Sequence, residues 1–375
     1  MKRVIFNGKF LAAPPTGVQR VATQLLGAFR ALAGEGRVPD FLLRCELLAP
    51  PGAPEPEALG WPGRTTGRLT GSAWEQVSLP RAAGDATIVN LCNVGPLFHP
   101  ASITMIHDAQ VYTNPSSYSR AFRSWYRFQQ PVCGRLHRRI LTVSEFSRSE
   151  LVRYGIAPAE KIAVLHNGVD HFLAVTPDRS ILSRTALERP FCLALANTQP
   201  HKNIRLLLRA FDNPRLSGLT LALVGAADAD DFARSGHRVP PNVVFLGRVS
   251  DPQLRSLYEA SVALLFPSLT EGFGLPPLEA MAVGCPAVVA PEGALPETCG
   301  QAAQYADGGD PRAWIDEILR LASDEAHRQQ AIERGFVQAS RFTWRAAAER
   351  LLEEVARVSG WEVKANGAGV SGCPS

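Results

Sequence analysis

Ser268-Leu-Thr-Glu271-Gly-Phe-Gly274-Leu-Pro-Pro-Leu-Glu279-Ala-Met-Ala-Val-Gly284-Cys-Pro286 is the stretch on which the reading of this chain turns. It follows an apolar run over 262–266 that suits a buried strand, and Gly284 stands where a left-handed residue ends a helix. Between them lie a glycine loop and a helix over 276–283, entered through two prolines whose missing amides would have no partner in a first turn anyway. Gly272 and Gly274 carry no Cβ, so the loop amides can approach a ligand closely. The helix start adds unsatisfied N–H groups and the positive end of a dipole, which together suit an anion. Glu271 stands at the loop entrance and Glu279 eight positions on. One carboxylate can then face a reacting group while the other accepts hydrogen bonds from a diol. In the plainer alternative, Glu279 only favours the helix dipole and Glu271 is a solvated loop residue. The ordered set of strand, Glu, Gly-Phe-Gly, Pro-Pro, Glu and Gly-Cys-Pro weighs against that alternative.

The same alternation extends in both directions. Strands are expected over 191–196, 219–224, 243–247, 262–266 and 287–290, with helices over 204–211, 252–260, 276–283, 311–321 and 324–340. Asp251-Pro252 and Asp310-Pro311 read as N-cap and first-turn proline. In the front half, strands are expected over 4–7, 41–48, 87–90, 103–107, 140–144 and 162–166. Helices are expected over 18–32 and 147–154, the latter opened by a Ser147-x-x-Glu150 capping box. Strands alternating with helices mean parallel sheets covered on both faces, an α/β class. Two sets imply two doubly wound, Rossmann-like domains facing a central cleft: 1–172, a linker over 173–189 with the polar stretch 176–184, and 190–342. A helix over 343–358 is expected to pack back towards the N-terminal domain, and 359–375 to be a disordered Gly/Ser tail. Ligands in such sheets bind beyond the carboxyl ends of the strands, so functional residues belong on loops after strands.

The chain has 375 residues, 46% hydrophobic and 20% charged, with a net charge of +4. An ordinary apolar fraction excludes disorder for most of it, and no run of about 18 uncharged apolar residues marks a membrane span. The first residues form a strand rather than a secretory h-region. Seven scattered cysteines without a C-x-x-C pair suggest neither a disulfide framework nor a zinc site, and point to a reducing cytosol. Charge divides unevenly, +7 over 1–172 and −3 over the rest. That is too weak for a nucleic-acid reader but suits an anionic surface or substrate.

The Glu271–Glu279 block resembles the E-x7-E signature of the retaining glycosyltransferases of family 4, which have the GT-B fold. Thr142-Val-Ser-Glu-Phe-Ser147, His166-Asn-Gly-Val-Asp170, Pro200-His-Lys202-Asn203 and Phe245-Leu-Gly-Arg-Val-Ser-Asp251 extend the resemblance over nearly the whole chain. Thr16-Gly-Val-Gln-Arg20 and Trp74-Glu-Gln-Val-Ser-Leu-Pro80 look like bacterial exopolysaccharide mannosyltransferases of that family.

Further residues gain roles from this resemblance. Lys202 follows a strand and offers a point charge; in the family a lysine here binds the donor diphosphate. With five lysines against 34 arginines, its choice is informative. The family often has an arginine a few residues earlier; here Asn197 and Thr198 stand there, and His201 is expected to replace part of that charge. Gly17, before the helix over 18–32, falls where the family sets a glycine loop against the diphosphate, although many members have two glycines. His107 follows a strand and can donate to a sugar hydroxyl or a developing charge, with Asp108 orienting its ring; the family places this histidine near the reacting sugar carbon. Over 119–139, Arg120, Arg123, Arg127, Arg135, Arg138 and Arg139 interleave with Phe122, Trp125, Tyr126 and Phe128. This suits an interfacial basic helix meeting anionic lipid or a lipid-linked diphosphate, or alternatively a solvated basic face over packed aromatics.

Two patterns are declined. Gly367-Ala-Gly369-Val-Ser-Gly372 has no flanking strand or helix, and Asp228-Ala-Asp230 reads as a polar turn rather than a metal pair.

The resulting expectation is a cytoplasmic enzyme, peripheral at the inner membrane face, that transfers a hexose with retention and needs neither metal nor cofactor. Glu271 and His107 would hold the transferred sugar, Lys202 with the amides of Phe273, Gly274 and Leu275 the diphosphate, and Glu279 the ribose diol. GDP-mannose is the expected donor, with UDP-glucose, UDP-glucuronate or a rhamnosyl donor as alternatives. The acceptor is expected to be lipid-linked or an oligosaccharide on the basic first domain. A phosphorylase or epimerase of the same fold, a nicotinamide-dependent dehydrogenase and a non-catalytic sugar-nucleotide binder are the rival classes.

Overall fold

The structure, a computed structural model, describes residues 2–361 apart from Pro15, Pro39, Thr185, Ala186 and Glu188. The Gly367–Gly372 pattern and, beyond Trp361, the expected tail lie outside the described residues.

Among the described residues, thirteen strands form two wholly parallel sheets. The first joins β1 (Val4–Asn7), β2 (Cys45–Ala49), β3 (Gly63–Thr65), β4 (Thr87–Asn90), β5 (Ser102–Met105), β6 (Arg139–Thr142) and β7 (Ile162–Val164) in the order β3-β2-β1-β4-β5-β6-β7. The second joins β8 (Phe191–Ala196), β9 (Thr220–Gly225), β10 (Val243–Gly247), β11 (Leu264–Phe266), β12 (Ala287–Val289) and β13 (Gln304–Tyr305) in the order β10-β9-β8-β11-β12-β13. Strand order therefore reverses between β1 and β4 in one sheet and between β8 and β11 in the other. Such a reversal opens a crevice beyond the strand ends, where ligands bind in doubly wound folds.

Two compact units carry these sheets. Among the described residues, the first comprises those up to Tyr112, those within 118–167 and those from Trp344 to Trp361; the second comprises those within 113–117 and 168–343. In the first unit, Val21, Leu25, Leu26, Phe29 and Leu32 bury one face of the helix Gly17–Gly34, and Phe29 meets Phe6 of β1 with ring centroids 5.2 Å apart. The helix Trp344–Ser359 completes this unit: Arg345 grips Glu35 through two bonds of 2.6 and 2.8 Å, and Ser359 Oγ donates to Thr87 Oγ1 at 3.0 Å. Its Glu354 is fully buried and ion-paired with Arg139 at 2.7 Å. In the second unit, successive strand residues feed opposite faces of the sheet, as a period of two requires. Leu221, Leu265 and Val288 join Leu207 and Trp314 on one side, whereas Ala222, Leu264 and Leu193 join Phe172, Tyr258 and Ala280 on the other.

Four local expectations need correction. Over 41–48 the first residues form a helical turn, Phe41–Arg44, not a strand. The amides of Leu43 and Arg44 return to Asp40 O, and Leu42 and Leu43 stay 76% and 80% exposed. The helix Glu145–Arg153 is capped by Ser144, whose side chain accepts from Ser147 N, so Ser147 lies inside the first turn. The helix Asp251–Ala260 is capped by Ser250 in a box with Gln253, one residue before the expected cap. The stretch read as a linker contains a short helix, Ser180–Arg184, whose Ile181 is buried with Phe172 and Tyr258 in the second unit.

Candidate active site

In the second unit the loops leaving β8 and β11 meet at the strand-order reversal. After β8 a single 3-10 turn, Pro200–Lys202, ends on Asn203, which adopts φ +56° and donates from Nδ2 to Gly308 O at 2.8 Å. Asparagine tolerates that left-handed conformation, and the turn fixes the direction of Lys202. Lys202 Nζ reaches Glu271 Oε1 at 2.6 Å and lies 5.9 Å from the centre of the Phe266 ring. Leu269 N donates to His201 O at 2.8 Å, which ties the two loops together.

Glu271 is 9% exposed, so it is not a solvated loop residue. Gly293, at φ +64°, packs against its backbone: a Cβ there would stand 2.6 Å from Glu271 N. The helix Leu275–Ala282 starts from Gly274, at φ +90°. Pro276 and Pro277 donate nothing, so the unsatisfied amides of this helix end are those of Gly274 and Leu275. Thr298 Oγ1 donates to Phe273 O at 2.8 Å and fixes the loop from below. Glu279 lies one turn inside the helix, beyond the first-turn positions that serve the dipole, and is buried with Oε1 3.5 Å from His171 Nε2.

His201 does not supply the expected positive charge. It is buried, and burial, reinforced by the neighbouring Lys202, lowers its pKa and keeps the ring neutral. Nδ1 pairs with Ser117 Oγ at 3.0 Å, and Nε2 is buried with no hydrogen-bond partner among the described residues.

In the first unit, His107 lies just past β5, buried, with its backbone N–H on Asn93 Oδ1 at 2.8 Å. Nε2 donates to Leu91 O at 2.8 Å, so this carbonyl orients the ring, while Asp108 Oδ1 accepts from Gln110 N. Burial lowers its pKa to about 4, and the neutral ring leaves Nδ1 as an acceptor rather than the expected donor. Gly17 opens the helix Gly17–Gly34 after the cap Thr16, with open space where a Cβ would stand.

The basic aromatic segment forms the helix Arg120–Leu136. It buries Gln129, Gln130, Cys133 and Gly134, and leaves Phe122, Trp125, Phe128 and Leu136 37–56% exposed. Phe122 stacks on Tyr118 and Tyr126, with ring centroids 5.3 and 4.1 Å apart, so these aromatics pack on one another while staying partly exposed. Among the described residues, no helix is long and apolar enough to cross a membrane.

Sequence reasoning singled out Lys202, Glu271 and Glu279 but not their company. Ser117 lies 84 residues from His201, and Gly293 and Thr298 carry no local signal of contact with the loop. His171 follows the His166-Asn-Gly-Val-Asp170 motif directly, which is the one signal that could have found it.

Residues 15–171 match the Glycosyltransferase Family 4 domain and residues 189–324 the domain of glycosyl transferases group 1. The O-antigen chain mannosyltransferase B of Escherichia coli is 32% identical over 256 residues, 65% of this chain and 67% of that protein. The O-antigen chain mannosyltransferase RfbU of Salmonella typhimurium is 28% identical over 232 residues, 60% of this chain and 62% of that protein, so the chain spans less than two thirds of it. Sucrose-phosphate synthase from Thermosynechococcus elongatus superposes with a TM-score of 0.71 over 96% of this chain and 99% of that one; at 18% identity this is a likeness of fold. With the two reversals, the E-x7-E loop and these matches in place, the chain belongs to the GT-B glycosyltransferases of family 4.

Proposed function

We propose that this glycosyltransferase moves mannose from GDP-mannose, with retention and without a metal, to a lipid-linked or oligosaccharide acceptor in cell-surface glycan synthesis. The observation that carries the donor half is the Lys202–Glu271 pair at the β8/β11 reversal, beside the unsatisfied amides of Gly274 and Leu275. Lys202 and those amides take the diphosphate, Glu279 the ribose diol and Glu271 the sugar. Preorganised donors aimed at the charge that develops on the departing diphosphate usually contribute most to such catalysis. His201 Nε2 is a buried polar atom that a bound phosphate or hydroxyl would satisfy. In the first unit, His107 accepts from a sugar hydroxyl through Nδ1, and Gly17 exposes helix amides for the diphosphate.

Mannose is supported by two relatives named as mannosyltransferases. Peripheral contact with an anionic membrane is supported by the helix Arg120–Leu136, which has four arginines, no acidic residue and exposed aromatics.

The test is slow donor hydrolysis without acceptor across GDP-mannose, UDP-glucose, UDP-glucuronate, UDP-N-acetylglucosamine and dTDP-rhamnose, with and without EDTA. Release of GDP alone, unaffected by EDTA, is the expected result. Cleavage of another donor replaces the sugar, and loss of activity in EDTA overturns the metal-free mechanism.

A further inference from the structure

The reversal between β1 and β4 in the first unit carries a second lysine–glutamate pair. Lys9, two residues past β1, holds its Nζ 2.6 Å from Glu75 Oε2. The side-chain exposures are 28% for Lys9 and 3% for Glu75, against 26% for Lys202 and 11% for Glu271. Two of the chain's five lysines thus occupy the same architectural place in two separate sheets.

A buried polar chain fixes Glu75. Asn7 Nδ2 donates to Glu75 Oε1 and to Asn90 Oδ1, both at 2.9 Å; Asn7 and Asn90 end the two strands that flank the reversal. Asn90 Nδ2 donates to Thr104 Oγ1 at 3.0 Å, which faces His137 Nδ1 at 2.7 Å, and His137 Nε2 donates to Pro96 O at 3.0 Å. Such a chain is costly when any member lacks a partner, and here each link is made. Glu75 itself stands in a π-helical turn, Trp74–Ser78, a rare conformation that recurs at functional sites. Both Glu75 oxygens are engaged inside the unit, so the group that reaches outward is the Lys9 ammonium, with two of its three N–H bonds left to offer.

We infer that Lys9 is the hydrogen-bond donor of a second ligand subsite, held in place by Glu75 and taking a neutral, hydroxyl-rich sugar, the acceptor saccharide. Glu75 cancels the ammonium charge, so the pair has little net pull on phosphate and suits hydroxyl oxygens instead. In the second unit the amides of Gly274 and Leu275 beside the corresponding pair supply the positive potential, whereas Lys9 precedes by eight residues the helix that Gly17 opens. The inference rests on the transferase reading given above. Lys9 contacts the saccharide, and Glu75 is a positioning residue.

The chain's five lysines make the test direct. The full chain is labelled with 15N at lysine Nζ, and the signals are assigned by Lys9→Arg and Lys202→Arg. It is then titrated separately with mannotriose, maltotriose and cellotriose, and with GDP-mannose and UDP-glucose. The expected result is a saturable shift of Lys9 with one trisaccharide and of Lys202 with one nucleotide sugar. Lys9→Met should raise the Kd for that trisaccharide about 10- to 100-fold, the loss expected for one charged hydrogen bond, with the nucleotide-sugar Kd unchanged. Glu75→Gln should weaken the same trisaccharide less than Lys9→Met does, because it leaves the ammonium in place although the amide can accept from only one of Asn7 and Lys9. Lys9 unmoved by all three trisaccharides while Lys202 responds overturns this inference and leaves the transferase reading standing. Lys9 answering only to a nucleotide sugar also overturns it. Lys202 silent to both nucleotide sugars overturns the donor site proposed above, whatever Lys9 does.

Discussion

At the scale of single residues, the second unit concentrates its chemistry on groups that would be costly to bury alone. Lys202 and Glu271 neutralise each other at 2.6 Å, and a diphosphate that engages the ammonium competes with that carboxylate. Lys202→Ala should therefore raise the donor Kd by about 10- to 100-fold, read by nucleotide-sugar titration, since it removes a charged hydrogen-bond donor. Glu271→Ala and His107→Ala should each abolish transfer while far-UV circular dichroism stays that of the parent. Wild-type-like turnover in both would remove them from the site. Gly293→Val should also lose transfer, because its Cβ cannot share space with Glu271 N at 2.6 Å and the φ of +64° is hostile to a β-branched residue. The carboxylates and Lys202 were legible because glycine loops and strand ends announce them along the chain. Their mutual pairing was not, since 69 residues separate Lys202 from Glu271 and nothing local encodes the meeting. The tautomer of His107 was equally hidden, because the carbonyl of Leu91 that sets it belongs to a neighbouring loop.

Among elements, the alternation of strand and helix was readable because parallel strands covered on both faces are near-continuous apolar runs. Boundaries slipped where two signals competed. Ser144 and Ser147 both resemble caps, and the one preceding the acidic Glu145 won. Phe41-Leu-Leu reads as a strand by composition, yet Asp40 at φ +52° turns the chain and Arg44 pairs back to Asp40 at 3.0 Å. The helix Arg120–Leu136 inverts the usual pattern by burying glutamines. Gln129 Nε2 donates to Gly95 O at 3.0 Å, on the loop that also bears Phe98, 86% exposed. A double variant, Trp125→Ser with Phe128→Ser, should reduce sedimentation with vesicles containing about one third phosphatidylglycerol by about tenfold, without changing donor hydrolysis. Equal binding of parent and variant would mean that these rings do not touch lipid.

On the scale of the molecule, stability should depend on acid through two buried histidines. Burial lowers the pKa of His107 and of His137 to about 4, from an ordinary value of 6.5. The unfolded chain therefore binds more protons between those limits, so stability is fully present above pH 6.5 and falls as pH drops towards 4. The melting temperature should decline over that window, and replacing His137 with asparagine should flatten the decline. A melting temperature constant from pH 7 to pH 4.5 would contradict the assignment. The first unit's discontinuity has a consequence for its biosynthesis. Its sheet is complete once Val164 has been made, but the helix that covers it, Trp344–Ser359, is the last described element to leave the ribosome. Until then Thr87 lacks the Ser359 hydroxyl and Arg139 lacks its buried carboxylate partner, Glu354. The second unit, contiguous but for 113–117, is thus the one able to mature first, and the earlier-translated sheet waits, partly uncovered, until Ser359 has been made.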